Sequence, residues 1–328
     1  MDSIHIREVE IYHPETSIDN EHYLDHFSRI GQDVEKLLVD TLGRKERYVI
    51  TDPSENSITM GIQAAKKALK KANLLGSDLD LIFFAIQTPE QLMPTNAMHV
   101  HRELNAGAHT LAYDINVNCT GMIAGIDQAS RYMLTNPHVK RALLIGSDYL
   151  SILTDPEDAI THANFGDAAC AIILEKSDEN GGFIDASYHV NTSDLGNLTF
   201  PVEGFTALLH NPTSAKYIKE LTPPEDTTQE TVDLINKVLE RNNMSLDDID
   251  FICPSQFAIS LIQKVSEKLA FDEERMLFVG DQYGYTASTS PFLAFYEGIQ
   301  SGKIKRGDNV LFYTIGTGHL IATAIFKY

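Results

Sequence analysis

Apolar and polar residues recur along this 328-residue chain with two different periods. Runs that are apolar throughout, or at every second position, predict strands, and apolar residues three or four positions apart predict helices. Ser57 is the expected N-cap of one such helix, whose apolar face extends from Ile58 to Ala72. The predicted strands are 4–12, 81–86, 111–117, 140–146 and 168–174, and the other predicted helices include 19–30 and 95–104.

An internal repeat relates the two ends of the chain. Residues 65–82, AKKALKKANLLGSDLDLI, match residues 235–252, INKVLERNNMSLDDIDFI, without a gap. Each segment predicts a helix ending at Asn, a short turn and a buried strand. We therefore predict an α/β fold of two related βαβ-rich halves, 1–175 and 176–328, with mostly parallel sheets covered by helices on both faces. The polar, proline-containing segment at about 192–227 is the expected insertion, capping a cavity between the halves.

Composition and charge exclude several classes of function. A net charge of −20 argues against nucleic acid or an anionic membrane as a partner. No run approaches the roughly 18 apolar residues of a membrane span, and the N-terminus lacks the regions of a signal peptide. Three cysteines without a Cys-x-x-Cys pair argue against a disulfide framework or a metal site, and they predict the reducing cytoplasm.

An acidic ligand or carrier would need a local basic patch on so acidic a chain. Each candidate group also has the simpler interpretation of a solvated helix or loop face. The candidates are Arg44, Lys45 and Arg47; Lys66, Lys67, Lys70 and Lys71; and Lys303, Lys305 and Arg306.

Cys119 lies where a predicted strand meets a predicted helix. The first N–H groups of a helix have no intrahelical partner, and together with the helix dipole they favour a thiolate over a thiol. Gly121, Ala124 and Gly125 would let this helix approach other backbone closely. Cys119 is therefore a candidate nucleophile, and the alternative is a small buried apolar residue.

Seven stretches carry a resemblance to a known family over nearly the whole chain. They are GRKERY at 43–48, DINVNCTGMIAG at 114–125, LLIGSD at 143–148, NFGDAA at 164–169, CPSQ at 253–256, GYTASTS at 284–290 and IGTG at 315–318. In order and spacing they resemble the β-ketoacyl-acyl-carrier-protein synthase III group of the thiolase superfamily. The resemblance implies a five-layered αβαβα fold, a homodimer, and an acyl-CoA or acyl carrier protein thioester as substrate, with no cofactor.

The same resemblance implies roles for single residues. The Cys119 thiolate would attack the thioester to form an acyl-enzyme. The backbone N–H groups of Cys119 and Thr317 would form the oxyanion hole. Met93 matches the position that reaches into the acyl pocket of the partner subunit, and its alternative is an ordinary core or interface methionine.

Two departures from the family pattern change the expected chemistry. Ser255 stands where the family has its catalytic His, and Tyr285 where it has its Asn. Both hydroxyls can donate hydrogen bonds, but neither is cationic or titrates near pH 7. The family's CoA-binding Arg is missing near Ser260, and the chain has no Trp to stack on adenine.

Either Ser255 and Tyr285 act as substitute donors, or another residue serves as the base. His319 is the first candidate, since a regular strand would point its side chain the same way as that of Thr317. His162 is a weaker candidate, and Tyr283 and Tyr285 are possible donors or pocket lining. Cys170 belongs to an apolar strand and is expected in the core, whereas Cys253 ends a buried strand and could approach the cavity.

Three functions are consistent with these residues. The first is an acyltransferase that passes the acyl group from Cys119 to an acceptor, by condensation or simple transfer, in fatty-acid or secondary-metabolite synthesis. The second is a non-catalytic partner subunit or an acyl-thioester-binding paralogue. The third is thioester hydrolysis, which requires a base such as His319.

Overall fold

The computed structural model describes residues 2–193, 195, 198–211, 217–220 and 226–328. The strands are β1 (Ser3–Tyr12), β2 (Ser17–Asp19), β3 (Glu46–Tyr48), β4 (Leu81–Ala85), β5 (Leu111–Ile115), β6 (Arg141–Asp148), β7 (Ala168–Ser177), β8 (Gly182–Val190), β9 (Leu198–Thr199), β10 (Lys219–Glu220), β11 (Phe251–Pro254), β12 (Asn309–Gly316) and β13 (Leu320–Lys327). The α-helices are α1 (Asn20–Arg29), α2 (Ser57–Ala72), α3 (Asn96–Glu103), α4 (Gly121–Thr135), α5 (Ala159–His162), α6 (Gly204–His210), α7 (Thr228–Arg241), α8 (Ile259–Leu269), α9 (Gly280–Tyr283) and α10 (Ser290–Gln300).

The first large sheet has the order β1-β7-β6-β4-β5. Strand β4 runs parallel to β5 and β6, whereas β7 is antiparallel to β6 and β1. Successive side chains of β4 point to opposite faces, so Phe83 joins one apolar cluster and Phe84 joins another. The sheet is therefore buried on both faces, which explains the continuous apolar runs in the sequence.

The second large sheet repeats this arrangement with four strands, in the order β11-β12-β13-β8. Strands β11 and β12 are parallel, and β13 is antiparallel to β12 and β8. The repeated segments form equivalent units, α2 leading to β4 and α7 leading to β11. The expectation of mostly parallel sheets is wrong, because a strand buried on both faces has the same apolar pattern in either direction.

Five layers stack in the order helices, sheet, helices, sheet, helices. Helices α4 and α10 pack between the two sheets, with Phe292 stacked on Phe312 at a centroid distance of 4.8 Å. Helices α2 and α3 cover the outer face of the first sheet, and α7 and α8 cover that of the second. The predicted five-layered αβαβα fold is confirmed, while the bounds 1–175 and 176–328 of its halves stay predictions.

Close contact between α4 and the first sheet depends on small residues. A Cβ atom at Gly125 would lie 2.6 Å from the Leu144 Cδ1 atom, and one at Gly121 would lie 3.2 Å from the Ala85 Cβ atom. Side chains at these positions would push the helix away from the sheet. The start of α4, and with it Cys119, is thus set close to the ends of β4 and β6.

Some local predictions are wrong. The N-cap of α2 is Asn56, which forms a capping box with Thr59, while the Ser57 hydroxyl bonds to Thr88. Arg44 and Arg47 form no surface patch, because they are only 2% and 0% exposed. The other two groups of basic residues lie on the exposed surface.

The described part of the predicted insertion contains β9, α6 and β10, of which the sequence indicated none. Residues 194, 196–197, 212–216 and 221–225 of that segment lie outside the described residues. Over the residues that the structure describes, no helix combines the length and apolarity needed to cross a bilayer.

Candidate active site

Cys119 occupies a short connection between β5 and α4, as its position in the sequence predicts. The preceding residue, Asn118, has a φ angle of 49°, a left-handed conformation that Asn tolerates better than most residues. The Asn118 Nδ2 atom donates to the Thr317 carbonyl at 3.3 Å, and the Thr314 hydroxyl donates to the Cys119 carbonyl at 3.3 Å. These bonds hold Cys119 against the turn between β12 and β13.

Three polar groups near the Cys119 sulfur act as donors that lower the pKa of its thiol. They are the Tyr285 hydroxyl, the Gln87 side chain and the Thr317 backbone N–H. Desolvation nevertheless raises the pKa of the Cys119 thiol above its ordinary value, and the buried Asp148 carboxylate adds to that rise. Loss of water therefore outweighs the groups that favour a thiolate, and the sulfur must lose a proton before it attacks.

The Tyr285 backbone is pinned by two hydrogen bonds. Its N–H donates to the Asn164 carbonyl at 2.9 Å, and its carbonyl accepts from the Gly166 N–H at 3.0 Å. Gly284 precedes it at a φ of 70°, where a Cβ atom would lie 2.9 Å from the Asn164 oxygen. The Tyr285 ring packs against Phe165 and Phe257, at centroid distances of 5.6 and 5.1 Å. Burial raises the pKa of Tyr285 well above its ordinary value, so this hydroxyl stays protonated.

Ser255 follows β11 and is fixed by a bond from its N–H to the Tyr313 carbonyl at 2.8 Å. Its side chain is a hydrogen-bond partner of the Tyr285 hydroxyl. Ser255, Tyr285 and Cys119 thus form a chain of polar contacts. The structure brings together the two positions where the sequence departs from the family pattern.

Buried Arg44 braces the loops behind these residues. Its Nε atom donates to Asn164 Oδ1 at 2.7 Å, and its Nη2 atom donates to the carbonyls of Gln256 and Phe257 at 2.5 and 2.8 Å. Asn164 in turn accepts the Tyr285 N–H. One guanidinium therefore ties the segment that carries Ser255 to the segment that holds Tyr285.

His319 and Thr317 lie in the turn between β12 and β13, so the expectation of a regular strand there is wrong. His319 has a φ of 50°, and the strands end at Gly316 and resume at Leu320. His319 nevertheless lines the same cavity as Cys119. Its Nδ1 atom is buried and has no hydrogen-bond partner among the described residues.

Several candidates lie outside the site. The His162 Nδ1 atom is 3.0 Å from the Thr154 hydroxyl, and desolvation with the nearby His26 lowers the pKa of His162 to about 4. Tyr283 donates to Glu297 at 2.7 Å, away from the cavity. Cys170 is fully buried in the apolar core, as expected, and Cys253 is buried in the same core and does not line the cavity.

Two neighbours of Cys119 received no role in the sequence analysis. Gln87 follows β4 and Asp148 ends β6, so both lie at the carboxyl ends of parallel strands. Ligand sites in α/β proteins form preferentially at such ends. Applied to the strand predicted at 81–86, that rule would have identified Gln87.

A cavity of about 630 Å³ opens in front of Cys119. Its walls are mostly apolar, and the described part of the predicted insertion contributes to them. Of the lining residues that the structure describes, Asp226 and Lys264 are charged, and their Oδ2 and Nζ atoms lie 3.5 Å apart. Within the described ranges, no group of three or more His, Cys, Asp or Glu side chains is arranged to hold a metal ion. The insertion contributes Leu195, Leu198, Thr199, Phe200, Pro201, Gly204, Ile218, Asp226 and Thr227.

Comparisons with known proteins agree with this geometry. The family model for 3-oxoacyl-[acyl-carrier-protein (ACP)] synthase III matches residues 113–192, and the model for its C-terminal part matches residues 239–328. A β-ketoacyl-[acyl-carrier-protein] synthase III of Coxiella burnetii is 30% identical over 290 residues, 88% of this chain and 89% of that protein. One from Clostridium perfringens is 30% identical over 327 residues, 97% of each chain.

The chain belongs to the 3-oxoacyl-[acyl-carrier-protein] synthase III family. The crystal structure of the Aquifex aeolicus 3-oxoacyl-[acyl-carrier-protein] synthase III matches it with a TM-score of 0.89 at 26% identity, covering 99% of this chain and 100% of that one. The first matched region contains Cys119 and Asp148, and the second contains Ser255, Tyr285 and Thr317. The protein is therefore an acyltransferase of the synthase III type.

Proposed function

We propose that Cys119 takes an acyl group from an acyl-CoA or an acyl carrier protein thioester and passes it to an acceptor. The observation that carries the proposal is a thiol at the wall of an apolar cavity with three hydrogen-bond donors around its sulfur. Apolar walls suit an acyl chain, and donors at the sulfur suit a thiolate. Family membership supports the same reaction.

In the first step the Cys119 sulfur attacks the thioester carbonyl carbon. A new sulfur–carbon bond forms, the bond to the carrier sulfur breaks, and the proton that leaves the Cys119 thiol ends on the departing carrier thiol. The tetrahedral intermediate carries a negative oxygen. The N–H groups of Cys119 and Thr317 are the proposed donors to that oxygen, supported by the bond between the Thr317 N–H and the sulfur.

We propose His319 as the group that receives the Cys119 proton. It shares the cavity with Cys119, and a buried ring nitrogen without a hydrogen-bond partner among the described residues supports a proton-accepting role. The imidazolium formed in this way then returns the proton to the leaving carrier sulfur, and His319 is neutral again.

In the second step the acceptor attacks the acyl carbon and Cys119 leaves as a thiolate. For a condensing reaction, the acceptor would be the enolate that a malonyl thioester forms when it loses carbon dioxide. Tyr285 is the proposed donor to that enolate oxygen, in place of the family Asn, and Ser255 orients the Tyr285 hydroxyl. Both donors are uncharged, so simple transfer to a ready nucleophile makes smaller demands on this site than condensation.

We further propose a homodimer that works in the cytoplasm without a cofactor. Met93 is 86% exposed on the isolated chain, which supports its proposed insertion into the acyl pocket of a partner subunit. For an apolar side chain this exposed, burial in an interface is lower in free energy than contact with water.

Intact-protein mass spectrometry tests the acyl-enzyme. The protein is incubated with acyl-CoAs and acyl carrier proteins of increasing chain length, with Cys119→Ala as the matched control. The expected result is a mass increase equal to the acyl group that is absent from Cys119→Ala. If a folded sample shows no adduct with any donor, the proposed acyl-enzyme at Cys119 is rejected.

A further inference from the structure

Gln87 is held by a carboxylate at two points. Its backbone N–H donates to Asp148 Oδ1 at 2.8 Å, and its Nε2 atom lies 3.3 Å from Asp148 Oδ2. Gln87 and Cys119 line the same cavity, and the Gln87 side chain lies close enough to lower the pKa of the Cys119 thiol as a hydrogen-bond donor does. The side chain therefore bridges a buried carboxylate and the nucleophile.

Asp148 is suited to orienting a neighbour because it is 1% exposed and accepts only from uncharged groups among the described residues. Besides Gln87, its donors are the N–H and hydroxyl of Thr88, at 3.2 and 3.3 Å, and the Ser288 hydroxyl at 3.5 Å. A carboxylate in so dry a place repels a carbonyl oxygen and attracts N–H groups.

This preference fixes which way the Gln87 amide points. Its nitrogen carries two hydrogens, whereas its oxygen can only accept. With the nitrogen toward Asp148, one hydrogen bonds the carboxylate and the second is free to bond the Cys119 sulfur. The reverse orientation would set the amide oxygen against Asp148 and remove the donor from the sulfur.

We propose that Gln87 is a catalytic hydrogen-bond donor to the Cys119 sulfur and that Asp148 is the positioning residue that aims it. The proposal rests on the acyl transfer inferred above. The donor acts twice, because Cys119 is a thiolate when it attacks and again when it leaves. Together with Tyr285, Gln87 compensates in part for the missing His and Asn of the family.

The test measures Cys119 itself, so it does not require a substrate. The rate of alkylation by iodoacetamide is followed from pH 6 to 10 in the full-length protein, with Cys119→Ala to subtract other cysteines. Gln87→Met keeps the side-chain length and removes both donors. We expect the apparent pKa of Cys119 to rise by about one unit, which slows alkylation about tenfold at pH 7. The matched control is Gln91→Met, an exposed glutamine in the following loop.

Asp148→Asn tests the positioning role. Its side chain keeps the shape but no longer distinguishes the two ends of the Gln87 amide, and it also removes the negative charge that raises the pKa of Cys119. Because these two effects on the pKa have opposite signs, the positioning role is measured by how far Gln87→Met still shifts the profile in the Asp148→Asn background. Adding Gln87→Met to Asp148→Asn should then cost little more, because both act through one hydrogen bond. Tyr285 and His319 also face the cavity. The alkylation profiles of Tyr285→Phe and His319→Gln are therefore measured as well, so that the titration of each of these groups can be identified.

Acyl transfer supplies the second readout. Gln87→Met should lower kcat about tenfold with KM unchanged, since the lost donor acts on the reacting sulfur. An alkylation profile of Gln87→Met that overlays the wild-type profile, in protein with an unchanged melting temperature, overturns the proposal. If wild-type protein forms no acyl-enzyme while Gln87→Met still shifts the profile, the acyltransferase function fails but the Gln87 donor stands.

Discussion

Tyr285→Phe removes one oxygen atom from the site and leaves the ring in place. The ring contacts with Phe165 and Phe257 remain, so the packing of the pocket should be unchanged. What is lost is the hydrogen bond to the Cys119 sulfur and the partner of the Ser255 hydroxyl. The substitution therefore separates the chemistry of Tyr285 from its structural role.

The magnitude follows from the charge on the acceptor. A hydrogen bond to an ionised group contributes about 1.5–3 kcal/mol, and each 1.4 kcal/mol is a factor of ten. Acylation of Cys119 should therefore slow by about 10- to 100-fold at pH 7, and the pKa of the thiol should rise by one to two units. The melting temperature should change by less than about 3 °C, because the ring stays in place and only one oxygen atom is removed.

Rapid-quench mass spectrometry of acyl-enzyme formation gives the rate, and alkylation against pH gives the thiol pKa. Tyr283→Phe is the matched control, since it also loses a buried hydroxyl but one that bonds Glu297 instead of Cys119. If Tyr285→Phe acylates as fast as wild type, Tyr285 does not stabilise the thiolate and the reasoning is refuted. Tyr285→Asn, which restores the family residue, should instead destabilise the fold by about 3 kcal/mol or more because it empties the ring volume.

Three further predictions concern other residues. His319→Gln should slow acylation at least tenfold while leaving the melting temperature unchanged; an unchanged single-turnover rate removes His319 as the base. Met93→Ala should shift the preferred acyl chain length without changing the rate of Cys119 alkylation. If the kcat/KM of Met93→Ala equals that of the wild type at every chain length, Met93 has no role in the acyl pocket. Burial raises the pKa of Asp167 to about 6, so protonation of this carboxyl group stabilises the folded state relative to the unfolded state. This contribution to the free energy of unfolding is complete below the unfolded-state pKa near 3.8 and is lost as the pH rises through 6. Urea unfolding should therefore show wild type losing about 1.4 kcal/mol more than Asp167→Asn between pH 5 and 7.5, and equal losses would refute the shift.

Local patterns in the sequence determine much of this protein. The continuous apolar run of β4 predicts a buried strand, and the repeat of its helix, turn and strand near residue 240 predicts two similar units. Both features depend on neighbours in the chain, so the sequence contains them directly. The position of Cys119 between a strand and a helix follows for the same reason. The direction of the strands cannot be predicted in this way, because a strand buried on both faces has no pattern that distinguishes parallel from antiparallel partners.

The state of the site is decided by tertiary structure. Arg44 belongs to a charged segment of the sequence, yet it is buried because carbonyl and amide oxygens more than 100 residues away accept its hydrogen bonds. Cys119 lies two residues before a helix, yet desolvation raises the pKa of its thiol. Gln87 and Asp148 meet only because β4 and β6 are neighbours in one sheet. Desolvation and hydrogen bonding depend on what surrounds a group in space, and the sequence around that group does not contain this information.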